Sequence, residues 1–146
     1  MSDGYCQAED VQRLIKWIHF TMVSKVKLED IEQFIKEVDS YIDSRISRIY
    51  EVPVTHETDM VILGYASARL AAYEAAKILI AQAGGDLPAI VEQWKISAEE
   101  RINSILSGEV ILGNTDRRRP ASGLYSHTAH DPDAPKRQWE VGKEQW

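Results

Sequence analysis

The most restrictive feature of this sequence is a stripe of apolar residues, spaced three and four apart, between residues 28 and 50. Its members are Ile31, Phe34, Ile35, Val38, Ile42, Ile46 and Ile49. This spacing puts them on one face of an α-helix. At ~1.5 Å per residue the predicted helix over 28–50 is about 34 Å long, and Val52 before Pro53 favours the extended backbone that ends it. The stripe therefore predicts a long amphipathic helix with one face buried.

Two further segments have helical periodicity. The first covers residues 8–17, and the second covers residues 59–82 with Thr58 as its N-cap. The second segment also has a face made of small residues: Gly64, Ala68, Ala71, Ala72, Ala75 and Ala76. Because small side chains let another helix approach closely, this face is predicted to be a packing seam.

A fourth helix is predicted from the N-cap Asp86, with Pro88 in its first turn, to Gly108 at its C-terminal end. Its apolar stripe drifts near Ser97, which indicates a kink or break there. The apolar residues at 109–113 predict a short extended segment before a turn. Together these elements predict an all-α fold, a small bundle of about four helices that occupies residues 1–113.

Residues 114–146 form a second unit of different composition. After residue 116 they contain three prolines and two glycines and show no sustained periodicity, so no separate core is expected. The segment is predicted to be an extended or disordered C-terminal arm, which could span about 110 Å if fully extended. Its aromatic residues Tyr125, Trp139 and Trp146 are unusual for a merely solvating tail and predict anchors for a partner.

Charge is distributed unevenly between the two units. The chain has a net charge of −6, and residues 114–146 contain six basic and five acidic side chains, which leaves −7 on residues 1–113. An acidic body argues against gripping nucleic acid, because phosphate binding needs a basic surface. No apolar run is long enough to cross a bilayer and the N-terminus lacks a secretory signal, so a cytosolic protein with no membrane association is expected.

Few residues form a pattern typical of a catalytic, metal-binding or cofactor-binding site. The tail places His127, His130, Asp131 and Asp133 close together, but their spacing matches no closed metal motif. Cys6 is the single cysteine and has no disulfide partner within the chain. Phosphate-binding loops and the familiar hydrolase signatures are missing. We therefore predict no catalytic residue, no cofactor and no metal, and a protein that is not an enzyme.

Basic and aromatic residues are the main candidates for an interface. Arg45 and Arg48 flank the apolar stripe, where they either cover the edge of the core or contact a partner. Arg117, Arg118 and Arg119 would bind either phosphates or an acidic neighbour, and the acidic body favours the neighbour. The candidate interface residues are Arg45, Arg48, Tyr50, Pro53, Arg117, Arg118, Arg119, Tyr125, Trp139 and Trp146.

Three stretches carry a resemblance to a known family. They are LEDIEQFIKEVDSYIDSRISRIYEVPV at 28–54, ILGYASARLAAYEAAKILI at 62–80 and AEERINSILSGEVIL at 98–112. Together they resemble the small all-α head-to-tail connector (adaptor) proteins of tailed bacteriophages and prophages, including Mu-like virion proteins. The resemblance covers roughly residues 5–113, and its most specific parts are the run at 39–45 with YEVPV and Arg69 within the alanine-rich helix. Lys27 departs from the pattern, which often has a Ser or Thr cap there.

The resemblance implies a structural virion protein that forms a ring, expected to be twelvefold, beneath the portal protein. Such a ring extends the channel through which genomic DNA passes without sequence-specific binding, and it docks a tail or stopper protein. The chain would lie in the virion neck after assembly and in the host bacterial cytoplasm before it. A ring needs two different complementary patches on each copy, and the long helix, the alanine seam and the arm are predicted to supply them.

Two alternatives are consistent with the same composition. One is a soluble helical protein-protein interaction or regulatory module whose tail binds one partner. The other is a DNA-binding protein or metal-dependent enzyme that uses Arg117–Arg119 or the histidine and aspartate residues at 127–133.

Overall fold

Four α-helices make up the regular secondary structure of the residues that the computed structural model describes, which are 4–18 and 27–118. They are α1 (Ala8–Ile18), α2 (Leu28–Ile46), α3 (Glu57–Ala83) and α4 (Ala89–Ser107). These residues contain no β-strand, and their one extended pairing is an isolated antiparallel bridge between Tyr50 and Arg117. The predicted all-α bundle is therefore confirmed.

Helix α3 is the central element and packs against α1, α2 and α4. Its buried apolar side chains lie on almost every side of the helix: Leu63, Ala66, Ala68, Leu70, Ala71, Ala72, Ala75, Ala76 and Ile80. A helix that is apolar all round must be enclosed by others. The five alanines of the predicted packing seam are buried, whereas Gly64 lies against the Tyr5 carbonyl of the N-terminal segment. Because the seam is buried within the body, the prediction that it supplies a patch for a neighbouring copy is wrong.

Helix α2 begins at Leu28, after an N-cap residue Lys27 whose side chain makes no capping bond. Its predicted apolar face is buried, with Ile31, Ile35, Val38, Ile42 and Ile46 at 6% exposure or less. The helix ends at Ile46 and not at residue 50, and at 19 residues it is shorter than the 27-residue α3. The end comes early because the backbone at 49–51 bonds to residues 116–118 and leaves the helical path.

Helix α3 is capped at both ends. His56 is the N-cap, and its Nδ1 accepts a hydrogen bond from the Thr58 N–H at 3.3 Å. The predicted cap at Thr58 was therefore two residues late. At the other end Gly84 adopts φ 76, a left-handed conformation that favours glycine, and its N–H bonds to the Ala81 carbonyl.

Helix α4 starts with Pro88 as N-cap, not with Asp86, and the N–H groups of Val91 and Glu92 bond to the Pro88 carbonyl. It continues through Ser97 without the predicted break, because Ala98 carries the buried stripe onwards to Ile102. The predicted end is confirmed, since Gly108 stops the helix with φ 91.

Residues 109–113 form no strand but return the chain to the body, with Leu112 at 1% exposure. The Val110 N–H bonds to the Ser104 carbonyl at 3.0 Å, and the Thr115 N–H bonds to the Leu112 carbonyl at 3.3 Å. None of the helices in the described ranges combines the length and apolarity that a bilayer crossing requires.

Candidate interaction surfaces

Arg45 joins α2 to α4. Its guanidinium forms an ion pair with Glu99 at 3.0 Å and donates hydrogen bonds to the Tyr41 hydroxyl and the Asn103 side-chain oxygen, both at 2.7 Å. The Tyr41 hydroxyl in turn donates to Glu99 at 2.9 Å. The side chains of Arg45 and Glu99 are each 29% exposed, so this predicted interface residue has its donors directed to partners within the subunit.

Tyr50 is part of the core. Only 1% of its surface is exposed, and its hydroxyl accepts a hydrogen bond from the Leu112 N–H at 3.2 Å. The Arg117 guanidinium carbon lies 5.8 Å from the ring centroid. The prediction of Tyr50 as an interface contact is wrong for this body, because a buried ring has no surface to offer a partner.

Residues 114–118 are attached to the helical body, although the sequence pattern groups them with the arm. The Glu51 N–H bonds to the Asp116 carbonyl at 2.8 Å, and the Arg118 N–H bonds to the Ile49 carbonyl at 2.7 Å. The Arg118 guanidinium also donates to the Ser47 carbonyl at 3.1 Å. This junction holds residues 116–118 against the end of α2.

The other predicted interface residues divide into two groups. Arg48, Pro53 and Arg117 are exposed on the body near the junction. The remaining ones, and the four histidine and aspartate residues considered as metal ligands, lie outside the described residues: Arg119, Tyr125, Trp139, Trp146, His127, His130, Asp131 and Asp133.

The buried carboxylate of Asp59 holds residues 114 and 115 on the body, a role that the sequence pattern did not indicate. Asp59 is 1% exposed, and its Oδ2 accepts hydrogen bonds from the Asn114 N–H at 2.9 Å and the Thr115 hydroxyl at 2.5 Å. An aspartate in the first turn of a helix reads as an ordinary dipole-favouring residue. Its actual partners are 55 and 56 residues away in the chain, so local pattern held no signal for this role.

A second polar cluster lies where the N-terminal segment crosses α2 and α3. The Tyr5 N–H donates to Asp39 at 2.8 Å, and the Ser67 hydroxyl donates to the other Asp39 oxygen at 2.5 Å. The Tyr5 hydroxyl donates to Asp43 and accepts from the Val54 N–H at 3.0 Å. The cluster therefore ties four parts of the chain together.

Burial controls the protonation chemistry of this cluster. It raises the pKa of the Asp39 carboxyl, and the hydrogen bonds from Ser67 and the Tyr5 N–H only partly offset it. Burial likewise raises the pKa of Asp43 and of Tyr5, and it raises the pKa of the Cys6 thiol to about 12. A thiol with so high a pKa is a poor nucleophile, so the cluster is best described as structural.

Substitution of Asp39 tests this description. The raised pKa means that the folded state binds the Asp39 proton more tightly than the unfolded chain does. The contribution of this carboxyl to the free energy of unfolding is therefore full below pH 3.8 and is lost as the pH rises through the folded pKa. Asp39→Asn is expected to lose about 1 kcal/mol at pH 4 from weaker hydrogen bonding. Because only the wild type loses the proton-linked contribution as the pH rises, we expect the difference in free energy of unfolding between wild type and variant to narrow between pH 4 and pH 7. Urea denaturation measures this difference.

The matched control is Asp30→Asn, which changes an exposed carboxylate on the same helix. Its pH profile is expected to follow the wild type. A gap between wild type and Asp39→Asn that stays constant from pH 4 to pH 7 would contradict the assigned pKa direction.

A groove of about 430 Å³ lies between α2, α3 and α4. Its polar lining consists of three carboxylates, two tyrosines and one lysine: Glu37, Glu74, Glu99, Tyr41, Tyr73 and Lys95. Two of the carboxylates are already paired, Glu99 with Arg45 and Glu74 with Lys77. The charges of the groove are therefore largely balanced, and the apolar side chains of Val38 and Leu70 complete its lining.

The described ranges contain no group of three or more His, Cys, Asp or Glu side chains arranged to hold a metal ion. Comparison of the chain with protein families, curated proteins and solved structures finds no match.

Proposed function

We propose that this chain is a head-to-tail connector protein of a tailed bacteriophage or prophage. In this role, copies form a ring beneath the portal protein, extend the DNA channel and dock the tail or stopper protein. The family resemblance over residues 5–113 motivates the proposal. The observation that supports it most is the junction that fixes residues 116–118, near the start of the arm, on the body.

That junction gives every copy the same geometry. Backbone bonds at Asp116 and Arg118 hold the chain beside the end of α2, so each arm starts from an equivalent point. A closed ring requires this, because every copy must present the same two patches in the same relative orientation. The arm then carries Tyr125, Trp139 and Trp146, residue types that are enriched in interface hot spots.

The charge of the body is compatible with a DNA channel. Residues 1–113 have a net charge of −7, and like charge keeps DNA from adhering to a protein surface. An acidic ring would let the genome pass without sequence-specific contacts. The anchoring partners would be the portal and tail proteins.

Quantitative mass spectrometry of purified particles tests the proposal. Tailed particles from the strain that encodes this chain are expected to contain it at a copy number close to that of the portal subunit. A chain that is absent from particles and stays in the soluble fraction would contradict the connector role.

The alternative is a helical interaction module that binds one partner. The groove between α2, α3 and α4 favours it, since a groove with both polar and apolar lining suits a partner side chain or peptide. The same fractionation separates the two proposals, because a module of this kind would be found in a soluble complex with one partner and not in particles.

A further inference from the structure

Two arginines converge on one tyrosine on the surface of the α3–α4 pair. The guanidinium carbon of Arg69 lies 3.6 Å from the Tyr65 ring centroid, and that of Arg101 lies 4.2 Å from it. Arg69 comes from the next turn of α3, whereas Arg101 comes from α4. We refer to Arg69 and Arg101 as the arginine pair. Both are partly exposed, so their donors can be reached from solvent.

The arginine pair has no counter-charge within the described residues. There, no carboxylate lies within 4.0 Å of either guanidinium, and Arg69 has one hydrogen bond, to the Tyr65 carbonyl at 3.4 Å. Since both guanidinium carbons lie close to one centroid, they are within about 8 Å of each other, where like charges repel. The Tyr65 ring offsets part of this repulsion and holds both groups in place. Such a pair is a preorganised site for carboxylates.

The subunit's own α2 contacts α4 on a different side from the arginine pair. Helix α2 contacts α4 through Arg45, which bonds to Glu99 and Asn103. Each of those residues is two positions from Arg101, and residues two apart lie on nearly opposite sides of a helix. The arginine pair and α2 are therefore on different sides of α4.

The exposed side of α2 offers a matching pair of carboxylates. Glu29 and Glu32 are both exposed, and neither has a cation within 4.0 Å among the described residues. Residues three apart on a helix are neighbours, with about 5–6 Å between their Cβ atoms. This spacing fits two guanidinium groups held on one ring.

We propose that the arginine pair of one copy binds Glu29 and Glu32 of a second copy of this chain. The two patches lie on different faces, so the contact is heterologous and joins copies head to tail. The proposal deepens the connector function and rests on it for the closure of the contacts into a ring. The contact itself requires only self-association.

Charge reversal in the full-length chain tests the contact. The first variant carries Arg69→Glu and Arg101→Glu, and the second carries Glu29→Arg and Glu32→Arg. Each variant alone is expected to have a self-association constant at least about tenfold lower than that of the wild type, because every contact becomes repulsive. Sedimentation equilibrium at low salt measures this constant. An equimolar mixture is expected to recover association, because each contact then pairs opposite charges again.

Recovery in the mixture also shows that both variants are folded. Arg13→Glu, at an arginine whose side chain is 70% exposed, is the matched control and should associate like the wild type. Four results would overturn the proposal: a wild-type chain that stays monomeric, association that charge reversal leaves unchanged, association weakened by the arginine variant alone, or no recovery in the mixture. Salt-sensitive DNA retention lost only in the arginine variant would instead assign the pair to phosphates.

The connector function is tested separately by particle composition. If the chain is abundant in particles but its charge variants associate normally, the connector function is supported and this contact is contradicted. If the chain is absent from particles but its association follows the charge swap, the contact is supported and the connector function is contradicted.

Discussion

Replacement of Tyr50 by alanine is expected to lower the free energy of unfolding by about 3–5 kcal/mol, the range for truncating a buried aromatic residue. The ring is 1% exposed and its hydroxyl accepts the Leu112 N–H. Its loss leaves a cavity and an unpaired buried donor. It also removes the surface on which residues 112–117 rest. Urea denaturation followed by far-UV circular dichroism measures the change.

Tyr50→Phe is the matched control, because it removes the hydroxyl and keeps the ring. It is expected to lose about 1–2 kcal/mol, the cost of leaving the Leu112 N–H without its acceptor. If the alanine variant loses less than about 1 kcal/mol, the effect of a surface substitution, and yet fails to assemble, Tyr50 would be an interface residue as the sequence first suggested.

Gly64→Ala is expected to destabilise the protein by about 2 kcal/mol. An added Cβ would lie 2.7 Å from the Tyr5 carbonyl oxygen and 3.7 Å from its carbonyl carbon. Alanine favours a helix over glycine by about 1 kcal/mol, but this contact is with backbone, so the N-terminal segment must move. Movement of Tyr5 would strain its hydrogen bonds to Asp39 and Val54, so overpacking outweighs the gain in helix propensity.

Gly113→Ala is the control for Gly64→Ala, since a Cβ at residue 113 meets nothing within 4 Å. It should change the free energy of unfolding by less than about 0.5 kcal/mol in the same urea experiment. An increase in stability for Gly64→Ala would mean that the N-terminal segment relaxes without cost, and that its packing on α3 is loose.

The environment of Gly64 in the structure shows what the small-residue pattern could and could not predict. The sequence grouped Gly64 with five alanines as one seam for a neighbouring helix. The alanines do line the packing of α3, but Gly64 admits the backbone of the N-terminal segment. Small residues predict close approach without saying which element approaches. Because the alanines of this seam are buried, the proposed contact between copies is placed on an outer surface, the arginine pair.

The arginines illustrate the same limit. The sequence placed Arg45 at the edge of the core or at an interface, and the choice depended on Glu99 and Asn103, which are 54 and 58 residues away. For Arg69, the stacking on Tyr65 is local, since the two are one turn apart on α3. The second cation, Arg101, joins only because α4 packs beside α3.

The sequence by itself determined the faces of α1, α2 and α4 and the stop at Gly108, because helical periodicity and left-handed glycine caps depend on residues within one or two turns. Tertiary structure decided where α2 ends, which rings are buried and which charges are paired. The Asp116 carbonyl and the Ile49 carbonyl satisfy N–H groups across the junction, and Asp59 holds the loop at 114–115. These bonds join residues far apart in the chain, so no local pattern carries them.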